Sequence, residues 1–244
     1  MNSLDITQHS IDDDCIGLKW SVKERNQLAK IIAVILMGQA RHASQIIKTL
    51  APALPQINEE FLREEAINKL TVHDTNKPGI GYPQYQRDGL IFEVISWVAA
   101  KQVLGDNCYL KAPHISSTTQ GLDGLMIELN SSKTKLKSTT IFEDKCTENP
   151  RNYFRDEVLP CFITRHQNKN SADLIACASS LIEVAGIPEA KVTKIASKVL
   201  DIKSRSYRAG FALDPKFVDT KKIKKLFKNY DRVQDIQSKQ RIAG

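Results

Sequence analysis

The spacing of apolar residues changes period several times along the chain, and each change marks an element. From Ser21 to Leu50 the spacing is helical, with Leu28, Ile31, Ile32, Ile35 and Leu36 before a pause near Gly38 and Ile46 and Ile47 after it. Pro52 and Pro55 stop this run, because proline has no amide hydrogen and cannot continue a helix. A second helix is predicted from Asn58, with Phe61, Leu62, Ala66 and Leu70 on one face. Residues 74–84 are rich in Asn, Pro and Gly and read as a loop. Gln86 to Leu104 returns to helical spacing, with Ile91, Val94, Ile95, Val98 and Val103 on its apolar side.

The pattern then turns strand-like. Cys108 to Lys111 reads as a short strand, and a second runs from Asp123 through Leu129. The polar stretch Ser131–Ser138 makes a hairpin turn, and Thr139 to Lys145 is the return strand. Asn149 and Pro150 suit the cap and first position of a helix running towards Arg165, with a bend expected at Pro160. Ser171 to Ala185, ending at Gly186, and Pro188 to Leu200 are further helices. Ser204 to Pro215 reads as a late strand, and Lys216 to Val233 as a basic helix. Residues 1–19 read as weakly structured. The fold class is therefore α/β in the α+β sense: a small mixed sheet flanked by helices, with a helical N-terminal portion over 1–85 and a basic C-terminal helix within 216–244.

Composition adds a partner class. The 244 residues are 41% hydrophobic and 26% charged, as in an ordinary globular protein, and the formal net charge is +7. A basic balance favours an acidic partner, of which nucleic acid is the commonest, although many proteins are mildly basic without one. The five cysteines have no CxxC spacing, so reduced thiols in a cytoplasm are expected. The start of the chain is polar and acidic (Asp12, Asp13, Asp14), unlike a signal peptide, and the longest apolar run, Ile31 to Met37, is too short to span a bilayer. No membrane association is expected. The five histidines are scattered without ligand spacing.

Candidate chemistry sits where a strand carries Glu143, Asp144 and Lys145 in a row. Side chains alternate along a strand, so Glu143 and Lys145 share one face while Asp144 joins Phe142 on the other. A second Glu-x-Lys, Glu189 to Lys191, lies in a predicted helix, where two steps of about 100° separate its side chains. Pairing the hairpin across a turn near Lys133 brings Asp123 towards the level of Glu143 and Lys145. Two carboxylates can hold Mg²⁺ (or Mn²⁺) through oxygen ligands, and a lysine beside them can steady negative charge at a phosphate. Gly121 and Gly124 would let a phosphate backbone approach. The competing reading is a structural ion pair at a sheet edge.

Asp123-Gly124 followed by Glu143-Asp144-Lys145 resembles the PD-(D/E)XK nuclease superfamily. Leu122 stands where that family's proline is usual. The resemblance covers roughly 86–215 and implies a restriction-endonuclease-like core. It implies catalytic Asp123, Glu143, Lys145 and Glu93, with Asp123 and Glu143 holding the metal and Glu93, on the preceding helix, as a metal-binding or supporting glutamate. It implies a Mg²⁺-dependent endonuclease acting on DNA with little sequence specificity. The stretches RDGLIFE, QGLDGLMI and FEDK are similar to motifs of nuclease subunits in bacterial phage-defence systems of the Hachiman kind, which implies a cytoplasmic effector with a helicase or sensor protein as partner. The alternatives are a restriction endonuclease and a non-cleaving nucleic-acid-binding subunit.

The remaining candidates have open readings. Glu93 is either an active-site residue or an exposed helix residue. Asp144 reads as a structural partner for backbone or a neighbouring base, and Glu128 as solvent-facing or paired. His114 and Ser116 are candidates for substrate contact. Lys133, Lys135 and Lys137, expected on one side of the hairpin, either grip phosphates or keep the turn solvated. Lys221, Lys222, Lys224, Lys225 and Lys228 form either a nucleic-acid-binding face or the solvated side of a helix docked through Ile223, Leu226, Phe227 and Tyr230.

Overall fold

The computed structural model describes residues 2–74, 76, 79–119, 121–214 and 219–244. The chain forms two compact units that alternate along the sequence. The first comprises Met1–Thr7, Trp20–Val103 and Ala112–Gln120; the second comprises Gln8–Lys19, Leu104–Lys111 and Gly121–Gly244.

Helices dominate the first unit: α1 (Arg25–Leu36), α2 (Ala40–Thr49), α3 (Glu60–Leu70) and α4 (Gln84–Gln102), which pack on one another. The expected pause falls at Gly38, whose φ of 81° is costly for any residue with a Cβ. Ile31, Ile35 and Leu36 of α1 are buried, as are Ala43 and Ile46 of α2 and Val94, Trp97 and Val98 of α4. The expected face of α3 is largely absent. Of its four residues only Ala66 is buried, and Phe61 is 60% exposed. Glu60, Arg63, Glu64 and Glu65 interrupt the apolar positions, so no continuous stripe forms.

The strands are β1 (Leu4–Ser10), β2 (Ile16–Val22), β3 (Cys108–Leu110), β4 (Gly124–Leu129), β5 (Leu136–Cys146), β6 (Arg205–Ala212) and β7 (Arg241–Ala243). They form one mixed sheet in the order β1-β2-β7-β6-β5-β4-β3, flanked by helices. The β3–β4 and β4–β5 pairs are antiparallel, and β5–β6, β6–β7 and β2–β7 are parallel. Residues 1–19 are thus not weakly structured. The acidic run Asp12–Asp14 makes the turn between β1 and β2, with Asp12 Oδ1 accepting from the Asp14 and Cys15 amides. The partner of β2 lies at the far end of the chain, with Ile16 opposite Ile242, and a local pattern cannot show that pairing.

The second unit's helices are α5 (Pro150–Tyr153), α6 (Leu159–His166), α7 (Ala172–Val184), α8 (Glu189–Ala196) and α9 (Thr220–Leu226). A π-helical turn, Phe154–Val158, joins α5 to α6, and the Leu159 amide reaches back to Phe154 O. It falls just before Pro160, which cannot donate to the turn behind it. Leu159, Phe162, Leu174, Ile182 and Val192 cover one sheet face, packing against Leu125, Ile127, Ile141 and Tyr207. The basic terminal helix is shorter than expected; its first predicted residues, 216–218, lie outside the described residues. Asp219 caps α9 by accepting from the Lys221 and Lys222 amides, and Asn229 at φ 73° turns the chain soon after it ends. Among the described residues no helix is long and apolar enough to cross a membrane.

Candidate active site

The hairpin register builds the site. Gly124 stands opposite Phe142, so Asp123, one residue earlier, comes level with Glu143. Lys145 Nζ donates to Asp123 Oδ2 at 3.1 Å and to Glu143 Oε2 at 3.2 Å. The Asp144 amide fixes Asp123 from the strand, donating to the same Oδ2 at 2.8 Å. Glu143 Oε1 accepts from the Cys161 thiol of α6 at 3.3 Å. The two carboxylates therefore converge on one cationic point, each oriented by a separate donor.

Burial sets the electrostatics. Glu143 is 8% exposed. Burial, then the charge of Asp123, raises its pKa, and Lys145 and the Cys161 thiol only partly counter this. Burial alone would lower the Lys145 pKa; Asp123 and Glu143 outweigh it and hold the ammonium above its ordinary value. Burial, then Glu143, pushes the Cys161 thiol up to about 11, so at neutral pH it remains a donor.

The other face of β5 has a different role. Asp144 pairs with Arg208 of β6 at 3.5 Å, and the Arg208 guanidinium lies 3.6 Å from the centroid of the Phe142 ring. Asp144 is thus a structural partner of a neighbouring base. Gly124 is accounted for by the same ring, because a Cβ there would lie 2.6 Å from Phe142 Cδ2. Gly121, at φ 131°, has open space around it.

Glu93 belongs to the first unit and is engaged there. Its Oε1 accepts from the His114 amide at 2.8 Å, and the His114 ring Nδ1 lies 3.1 Å from the same oxygen. Both side chains are mostly buried, so Glu93 ties α4 to the segment carrying His114. Ser116 lies 3.3 Å from the Tyr82 hydroxyl in the same unit.

The hairpin lysines take three environments. Lys137 Nζ donates to Glu128 Oε1 at 2.6 Å, and Ser138 donates to the other carboxylate oxygen, so Glu128 is paired. Lys133 adopts a left-handed φ of 54° in the turn. Its Nζ sits 5.7 Å from the Tyr109 ring centroid and donates to Ala185 O at 3.4 Å. Lys135 is exposed, as are Lys221, Lys222, Lys224 and Lys225 on α9 and Lys228 after it. Glu189 and Lys191 lie exposed on α8.

Cys161 and Arg208 were not legible as part of this arrangement. Nothing in the sequence pointed Cys161, within the helix expected to run towards Arg165, at a carboxylate. Among the described residues no group of three or more His, Cys, Asp or Glu side chains converges to hold a metal ion. No family model, curated protein or solved structure matches the chain.

Proposed function

We propose that the protein is a metal-dependent nuclease hydrolysing DNA phosphodiester bonds at Asp123, Glu143 and Lys145. The observation that carries this reading is the convergence of both carboxylates on one cation position, occupied by the Lys145 ammonium. The donor set fits Mg²⁺ (or Mn²⁺). Two carboxylate oxygens are its usual protein share, with water and substrate completing the shell. A buried Glu143 whose charge is unfavourable also gains from a cation beside it. Asp123 and Glu143 would hold the ion. When bound it supplies Lewis acidity at the phosphate and a more acidic water for in-line attack. Asp123 is oriented by the Asp144 amide and Glu143 by the Cys161 thiol, so the pair is set before substrate arrives. Lys145 steadies charge on the phosphate. Exposed Lys135 and the α9 lysines supply phosphate contacts without sequence preference. The resemblance to phage-defence nuclease subunits supports placing this activity in an anti-phage system with a helicase or sensor partner.

The test is plasmid cleavage by the purified chain in Mg²⁺ or Mn²⁺, stopped by EDTA. Glu143→Gln abolishes it at saturating DNA, whereas Glu189→Gln does not change it. Cleavage that persists in EDTA, or equal loss at both positions, refutes the assignment. DNA binding without cleavage under any of these conditions favours the non-cleaving subunit instead.

A further inference from the structure

Cys161 and Arg165 stand four residues apart on α6 and so share one face. Side chains on a helix lean towards its N-terminus, which carries the Arg165 guanidinium back over Cys161. Burial, then Glu143, raises the pKa of that thiol, and Arg165 opposes them. The thiol in turn donates to Glu143 Oε1 at 3.3 Å. Arg165 is therefore one side chain removed from the carboxylate pair, and its backbone is pinned there because Arg205 donates to its carbonyl oxygen. The other enclosed guanidiniums are matched. Arg205 also donates to Val199 O and Asn168 Oδ1, Arg241 donates to the Asp14 and Val233 carbonyls, and Arg208 pairs with Asp144. Arg165 Nε and Nη1 are enclosed and meet no acceptor among the described residues. Charged donors withdrawn from water without an acceptor leave a desolvation cost that an arriving anion recovers.

Resting on the nuclease reading above, we propose that Arg165 is a further catalytic residue, which binds a phosphate oxygen of the DNA backbone beside the Asp123–Glu143 pair. A guanidinium matches the oxygens of a phosphodiester better than an ammonium does. Arg165 as a whole is only half-buried, so its side chain turns about its own torsions to meet the phosphate. Lys145 is held by two carboxylates in the free chain, whereas Arg165 has no anion to leave. It supplies the uncommitted positive charge of the site, placed before substrate arrives.

Two measurements on the full chain test this: binding of a short DNA duplex against salt in EDTA, and single-turnover cleavage in Mg²⁺ at saturating DNA. Arg165→Met flattens the salt dependence of binding by about 0.9 units, the share of one phosphate contact. It also lowers the cleavage rate by roughly 100–1,000-fold, the usual cost of one donor lost from a transition state. Arg165→Lys keeps the charge and hence the salt slope, and recovers part of the rate. Arg63→Met, an equal charge change at an exposed residue of α3, alters neither. Where Arg165→Met fails to fold, Arg165→Gln, which keeps an N–H donor, carries the same expectation. An unchanged slope in the uncharged variant overturns the phosphate contact and leaves the nuclease reading intact in a chain that cleaves. Equal flattening in Arg63→Met reduces the effect to net charge and also overturns it. A flattened slope with an unchanged rate overturns the catalytic role. A flattened slope in a chain whose wild type does not cleave keeps the phosphate contact and overturns the catalytic role together with the nuclease reading.

Discussion

The two faces of β5 make opposite demands on neighbouring acids, and Asp144→Asn against Glu143→Gln measures the difference. Asp144 and Arg208 form a buried pair, with side chains 2% and 5% exposed and charges 3.5 Å apart. At an effective dielectric of about 20, unit charges at that distance attract by about 5 kcal/mol. Removing one member of a buried pair typically costs about 3–5 kcal/mol, because the other charge stays desolvated. Burial already lowers the Arg208 pKa, with Asp144 opposing that. Asp144→Asn keeps the shape and the backbone amide that holds Asp123, so the loss is electrostatic. For a chain of this size 1 kcal/mol shifts Tm by about 2–4 °C, which puts the fall on the order of 10 °C. Glu143→Gln behaves in the opposite way, because burial raises that carboxyl's pKa and its charge opposes folding. It leaves stability unchanged or higher while ending cleavage. Urea and thermal unfolding of both variants beside the wild type decide the matter. A loss below about 1 kcal/mol in Asp144→Asn, or a comparable loss in Glu143→Gln, refutes the division of roles.

Two further outcomes follow from the same network. The folded state holds the Glu143 proton above the ordinary value of 4.5, so it binds more protons than the unfolded chain in the window above that value. Wild-type stability therefore falls relative to Glu143→Gln as pH rises through that window, and the two converge below it; a difference in urea midpoint constant from pH 4 to 8 contradicts this. Cys161→Ala removes the donor that orients Glu143 and lowers cleavage by about 10–100-fold, the usual cost of losing such a support, while Cys161→Ser, still a donor, retains most activity. Equal loss in both variants means the thiol acts through packing instead.

The central hairpin was legible because its signals are local. Alternation over Thr139 to Lys145 fixes which side chains share a face, and the polar turn fixes the register that levels Asp123 with Glu143. The helices of both units follow from spacing, and Gly38 and Gly186 mark their stops at positive φ. What stayed hidden depends on residues far apart in sequence. The β1–β2 region waits on β7, a three-residue strand with no recognisable pattern of its own. Lys133 was counted with its neighbours by alternation, but it sits in the turn at a left-handed φ, where period two does not apply. Its ammonium goes to Tyr109 and Ala185, while that of Lys137 goes to Glu128.

Glu143 and Asp144 share their burial and differ in their partners. Both acids are largely withdrawn from water on one strand, so burial alone assigns neither to chemistry. The partners do. Asp144 meets a guanidinium that is itself enclosed and stacked on Phe142, an arrangement whose disruption is costly. Glu143 meets a second carboxylate and a partly exposed ammonium, and its pKa remains raised in spite of that ammonium. A carboxylate left under-compensated in the resting protein gains most from the arrival of a divalent ion. Under the proposed function, that imbalance is what favours a chemical role for Asp123, Glu143 and Lys145 over an ordinary ion pair at a sheet edge.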